Sequence, residues 1–278
     1  MLSPITPIKR TVEGTEVTVN EVYLWPTLED GRVLVLRANA PDGKSYNNFQ
    51  WSHTVGDIVT APDWDPDPKR MYGGGLHGLI WGCGDECRLY APALKSTVWT
   101  VVAVHLKDIA TPLDTALTPE GIRFRSCEVM YCEADRDAAI AYLYNHLPEQ
   151  VSLPIVYGSR TVGHNKIVVV GNYGTAQAGI NSKAIAGYSG TATVGNYGVA
   201  VVAHYGTAIA GDYGTAIAGC NGVAAAGYGG MLIIDILDKE YTPRVMTRRC
   251  VEVDGVKIKM NTLYELNHEG EFVEVDAT

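Results

Sequence analysis

The segment Ala61–Gly84, APDWDPDPKRMYGGGLHGLIWGCG, gathers most of the residues able to do chemistry in this 278-residue chain. Glycines 73–75 precede Leu76 and His77. Such a run marks backbone that needs positive φ or close approach to another group. With Asp63 and Asp65 close in sequence, His77 could donate a hydrogen bond or act as an acid or base. On this reading Asp63, Trp64, Gly74, Gly75, His77 and Trp81 contact a ligand. The competing reading is a rigid connection between strands in which Trp51, Trp64 and Trp81 are core, because one histidine beside glycines specifies no reaction. Both stay open. The segment is no phosphate-binding loop, since neither GxxxxGK[ST] nor a strand–GxGxxG–helix order is present.

Cys83, Cys87, Cys127 and Cys132, with His77, are residue types that bind zinc, but structural zinc favours tighter CxxC pairs than Cys83-x3-Cys87 and Cys127-x4-Cys132. Reduced, buried thiols are expected instead. No metal and no cofactor is assigned. No GxSxG elbow is present for nucleophilic catalysis. One enzymatic reading survives as an alternative. Arg37 in LVLRA, His77 in GGGLHG and Glu128 in SCEVMY follow an order that loosely resembles the NAD-contacting and catalytic residues of ADP-ribosyltransferases. There Glu128 would stabilise positive charge developing on the ribose, while Arg37 held phosphate.

These residues must be positioned by short strands separated by Gly and Pro clusters. The sequence predicts strands over Val17–Tyr23, Val33–Ala38, Thr97–Leu106 and Ile122–Tyr131, with a helix over Ala134–Leu147 ended by Pro148. This gives an N-terminal α+β domain over residues 1–152.

Beyond it, Gly163–Ile234 repeats every eight residues, nine times without insertion. Short-period self-similarity is the signature of a solenoid. Each octet has a G-x-x-G turn half and an x-A-x-A strand half; glycine is expected to supply positive-φ corners there. Positions six and eight are Ala or Val and face inward, which suits two closely spaced parallel sheets. Positions five and seven face outward and differ between alternate octets. One set is Thr-rich (Thr175/Gln177, Thr191/Thr193), whereas the other keeps an aliphatic column, Val169, Ile185, Val201, Ile217 and Ile233. Two octets per coil of sixteen residues explain the split. The Thr column superficially resembles an ice-binding ladder, but it degrades into Ile209, Val223 and Ala225. The solenoid is placed at 153–234 and a polar β cap at 235–278, with hairpins expected at Asp254-Gly255 and at Asn267–Gly270.

An exposed apolar column needs covering. Val169, Ile185, Val199, Val201, Ile217, Met231 and Ile233 are therefore the candidate oligomer interface, for a dimer or trimer. Covering by the N-terminal domain is the alternative.

Charge narrows the partners. Net charge is −9, and between Ile155 and Ile234 only Arg160, Lys166, Lys183 and Asp212 are charged. Nucleic acid is not expected, nor is a calcium-binding roll with an Asp in every turn. No apolar run approaches about twenty residues, and MLSPITPIKR lacks a hydrophobic signal core. A soluble, cytoplasmic chain without membrane contact is expected.

The motifs Phe49–Trp51, Ala61–Pro66, Gly73–Gly82, the octets and Phe272–Val275 together resemble a family of uncharacterised phage and prophage proteins. The resemblance implies a phage setting and the host cytoplasm, and brings no catalytic residue. The octets separately resemble the head of trimeric autotransporter adhesins, which stack AxAG-type strands and trimerise. The expected function is a non-enzymatic accessory protein that oligomerises through its solenoid and binds a host protein or a small immune-signalling molecule. The alternatives are the NAD-using enzyme above and a virion structural or decoration protein.

Overall fold

The computed structural model describes residues 8–12, 15–19, 25–45, 49–70, 73–89, 97–111, 121–148, 151–237 and 246–275. The chain forms two compact units: Met1–Trp81 with Cys87–Val151, and Gly82–Glu86 with Ser152–Thr278. It is mainly β, as expected. No helix among the described residues is long and apolar enough to cross a membrane.

In the first unit β1 (Ile8–Val12) and β2 (Thr15–Val19) pair antiparallel. The strand predicted over Val17–Tyr23 overlaps β2, and its remainder lies outside the described residues. The main sheet uses β3 (Arg32–Asn39), β4 (Ile58–Thr60), β5 (Leu76–Ile80), β6 (Val98–His105), β7 (Ile122–Phe124) and β8 (Ser126–Glu133). Their order is β4-β8-β6-β3-β5-β7, antiparallel throughout. Hydrophobic runs such as VLVL in β3 and TVVAV in β6 are buried on both faces. Helix α1 (Arg136–His146) starts where the Asp135 carboxylate accepts the amides of Asp137 and Ala138. It packs on β6 and β8 through Ala139, Ile140 and Leu143.

Two expectations change here. The strand predicted over Ile122–Tyr131 is broken at Arg125, because its halves pair with different partners, β7 with β5 and β8 with β4 and β6. His77, expected in a loop, sits on a strand, β5.

The second unit is the solenoid and its caps. Strands β9 (Ser159–Val162), β11 (Thr175–Ala178), β13 (Thr191–Val194), β15 (Thr207–Ile209) and β17 (Val223–Ala225) form one parallel sheet. Strands β10 (Ile167–Val169), β12 (Lys183–Ala186), β14 (Val199–Val202), β16 (Thr215–Ala218) and β18 (Met231–Leu237) form the other. Thr175 pairs with Thr191 and Lys183 with Val199, so each coil is sixteen residues long and the stack has about five turns. Ala176, Ala184, Ala192, Ala200, Ala208 and Ala216 are fully buried between the sheets. The repeat begins one octet earlier than the sequence shows. IVYGSRTV (155–162) is a further unit, masked by Ile at its first position and Arg160 at an inward one.

Glycine supplies the corner only in the last octet, at Gly229 with φ 64°. Left-handed φ falls on the third residue of the octets, at Tyr157, Asn165, Tyr173, Asn181, Ser189, Tyr197, Tyr205, Tyr213 and Asn221, with φ between 49° and 60°. The first- and fourth-position glycines are needed for space. A Cβ on Gly187 would lie 2.3 Å from Asn172 Oδ1 and 2.6 Å from Asn172 N, one coil below. Where tyrosines stand at third positions one coil apart, their rings stack. Tyr157–Tyr173 and Tyr197–Tyr213 have centroids 5.5 Å apart. Second-position side chains add a polar ladder: Asn172, Asn196 and Asp212 each accept the amide sixteen residues later, at 2.9–3.0 Å.

Both ends are capped. At the start, Val156 N–H donates to Gly82 O, and buried Glu86 accepts from Asn172 Nδ2 at 2.7 Å. At the far end, β19 (Met246–Glu252) joins β18 antiparallel, while β20 (Tyr264–Leu266) and β21 (Phe272–Glu274) extend the other sheet as a hairpin. The turn of that hairpin is at Asn267–Gly270, as expected. The Asp254-Gly255 hairpin is not formed. Asp254 Oδ1 instead accepts the amides of Val256, Lys257 and Ile258 at 2.8–3.0 Å. That coils the segment so that Val253 and Ile258 plug the end of the alanine core.

Candidate functional site

In the first unit, residues 61–70 and 73–75 wrap around one side chain, Arg123 on β7, which sits directly opposite His77 on β5. Arg123 is 3% exposed. Its Nη1 donates to Gly74 O at 2.8 Å and to Asp65 O, and Nη2 donates to Asp67 O at 2.6 Å and Arg70 O at 3.0 Å. Four carbonyls from one loop converge on a single guanidinium, whose planar fork of donors suits that arrangement. The guanidinium also lies 5.8 Å from the Trp64 ring centroid. Sequence reasoning missed Arg123. The only available signal was a charge in the middle of an apolar strand, IRF.

The glycines now have a reason. A Cβ on Gly74 would fall 1.7 Å from Asp63 O, so that backbone approaches the loop itself. Gly75 N–H donates to Asp63 Oδ1 at 3.1 Å, closing the loop on β5. Asp65 and Asp67 cap the next turns by accepting the amides of Asp67 and Lys69. The amide of Asp67 leads the influences that hold the Asp65 carboxyl below its usual range.

His77 is half-buried. Burial, then the positive charges of Arg37 and Arg123, push its pKa below the usual 6.5, against the opposing pull of Asp63 and Gly75. Arg37 is buried. It donates to Asn39 Oδ1 at 2.7 Å and to His77 O at 2.6 Å, and lies over Trp51 at 4.2 Å. Burial lowers its pKa to about 10. Trp81 is fully buried, and its indole N–H donates to Pro26 O at 2.8 Å. Of the six residues expected to meet a ligand, Asp63 is exposed and Trp64, Gly74, Gly75 and His77 are half-buried; Trp81 is core.

Arg37, His77 and Glu128 do not converge. Arg37 shares a sheet face with Thr100 and Cys132. Glu128 pairs with Ala103, which pairs with Leu34, and this row faces the other way. Glu128 accepts from Arg32 Nη1 at 2.5 Å. His77 stands three strands from Glu128, about 14 Å in the pairing direction alone. Among the described residues, no trio of convergent metal-ligating groups contains two of the four cysteines. Burial pushes the Cys83 thiol up, and the Cys127 thiol up to about 12. Neither is poised as a thiolate.

In the second unit the outer face of the β10–β18 sheet carries the residues expected at an oligomer interface. Val169, Ile185, Val199, Val201, Ile217 and Ile233 are half-exposed, Met231 is 42% exposed, and neighbouring Ile167 is 63% exposed. At the same positions the opposite sheet presents Ser159/Thr161, Thr175/Gln177 and Thr191/Thr193, then Thr207/Ile209 and Val223/Ala225, so it holds no continuous aliphatic column. β19 adds one more row to this face, with Cys250 beside Ile233 and the charged Glu252 beside Met231.

Comparison with family models, with curated proteins and with solved structures gave no match to this chain.

Proposed function

We propose that this chain is a non-enzymatic, self-associating scaffold. Its solenoid joins copies of the chain, and its N-terminal unit takes a ligand beside the Arg123-held loop. The observation that carries the reading is the continuous aliphatic column on one outer sheet and its absence from the other. An apolar, flat, periodic face suits an identical partner, because only another rod of the same repeat stays commensurate along its length. The accessible groups at the loop include Asp63, Trp64 and His77, an acceptor, an aromatic surface and a ring nitrogen, with the exposed cations Lys69 and Arg70 beside them. They suit a small polar molecule or a peptide rather than a reaction. The phage-protein resemblance makes a host protein or small signalling molecule in the host cytoplasm the proposed target.

Native mass spectrometry and sedimentation velocity on the untagged protein test the scaffold. Species at two or three times 30.0 kDa are expected, with any extra mass naming a bound ligand. A monomer at every accessible concentration would end the proposal.

A further inference from the structure

The geometry points to one arrangement of that self-association: two rods pack antiparallel, face to face, about a two-fold axis lying along β16. This rests on the scaffold reading and adds a register to it. The outer face of the sheet has six rows, from β10 to β19, and two outward columns. One column runs Ile167, Lys183, Val199, Thr215, Met231, Glu252; the other runs Val169, Ile185, Val201, Ile217, Ile233, Cys250. Only two charges interrupt them, Lys183 in the second row and Glu252 in the sixth, and both are exposed. The Asp235–Arg248 ion pair, with a 2.7 Å contact, lies farther along the strands, past both columns.

A two-fold axis parallel to the strands reverses the row order and keeps each column over itself. Centred on β16, it stacks Ile217 on its own copy and Val201 on Ile233 of the second copy. It also sets Lys183 over Glu252 of the second copy, twice by symmetry. Shifting the axis by a row or half a row breaks both charge contacts. Parallel rods are worse, because they swap the columns and leave each Lys183 over Ile185 of the second copy. Burying an unpaired ammonium against isoleucine is costly. The charge pattern therefore selects one register out of several that the aliphatic column alone permits.

The footprint is small. Five rows of four residues cover about 24 Å by 13 Å, on the order of 300 Å² per copy. Standard stable interfaces bury about 800 Å² per partner. The pair should be weak, with a Kd of about 10–100 μM, and the ion pairs should set register more than affinity.

Sedimentation velocity up to several hundred micromolar on wild type, Lys183→Glu, and Lys183→Glu with Glu252→Lys tests the register, with far-UV circular dichroism confirming folding. The single reversal should weaken association at least tenfold, and the double reversal should restore it to within about threefold. A second readout uses Ile185→Cys in a Cys87→Ser background with a short bis-maleimide. A covalent dimer should form through Cys250 and vanish when Cys250→Ser is added. If wild type associates but the double reversal does not restore it and no crosslink forms, this register is wrong and the scaffold reading stands. If wild type never associates, both fall.

Discussion

Replacing Arg123 with Leu removes the post around which residues 61–70 and 73–75 are wound, at nearly constant volume. Four carbonyls lose a charged donor: those of Asp65, Asp67, Arg70 and Gly74. A hydrogen bond to a charged group contributes about 1.5–3 kcal/mol, so a loop that stayed docked would lose roughly 6–12 kcal/mol. The loop has a cheaper route. Asp63, Pro66 and Arg70 are exposed, so it can peel away and give its carbonyls to water. The loss is then capped by the docking itself, about 3–5 kcal/mol, and the first unfolding transition should fall by roughly 10 °C. Hydrogen exchange separates this from generic destabilisation. The amides of Asp65, bonded to Gly74 O, and of Gly75, bonded to Asp63 Oδ1, should lose protection while those of β3 and β6 keep it. Arg123→Lys should recover less than half of the loss, since an ammonium cannot span four acceptors in one plane. A loss below about 1 kcal/mol with unchanged protection at Asp65 and Gly75 would refute the wrapping argument.

Four further outcomes rest on the same structure. Val201→Asp with Ile217→Asp should leave the β-rich far-UV signal intact and abolish association; retained assembly would place the contact elsewhere. Gly187→Ala should cost about 2–3 kcal/mol in denaturant unfolding, because Asn172 N and Oδ1 leave its methyl no room. Tyr197→Asn, at φ 58°, should stay within about 1 kcal/mol, trading ring stacking for relief of the left-handed backbone; a larger loss there than at Gly187 would reverse our assignment of roles. Because the pKa of His77 is depressed, the unfolded chain binds its proton first, so His77 should subtract stability as pH falls below about 6.5. Melting curves from pH 8 to 5 should show a shallower decline in His77→Gln, and parallel curves for the two proteins would contradict the burial argument.

The solenoid was legible because each octet restates the same evidence: small inward residues, outward columns that alternate, and sixteen residues between like positions. Its corners were not. Glycine usually explains positive φ, yet here tyrosine and asparagine adopt it while glycine makes room, a distinction that depends on the coil below. The octet at 155–162 escaped notice because Arg160 occupies an inward position at the end of the stack, where the alanine rule no longer binds. In the first unit the dense motif 61–75 was visible, but its organiser lies some fifty residues on. No local pattern ties Arg123 to Gly74; only the β5–β7 pairing does. The Asp254-Gly255 segment misled for a related reason. Its aspartate satisfies three backbone amides, which a hairpin signal does not reveal.

Why the aliphatic column exists at all is the remaining step. Alanine side chains bury little area, so this rod draws much of its stability from other sources: backbone ladders, stacked tyrosines, and Asn and Asp side chains bonded from coil to coil. Those devices lie at the corners and along the backbone of the strands, and none of them depends on which side chain stands at an outward position. The opposite sheet shows as much over its first three strands, where Ser, Thr and Gln serve at these positions, although Ile209, Val223 and Ala225 follow in the last two. Folding therefore gives no reason to place Ile185, Val201, Ile217 and Ile233 on a surface, and solubility gives a reason against it. A partner that removes this column from water supplies the missing reason, and the Lys183 and Glu252 rows say how an identical rod would lie on it.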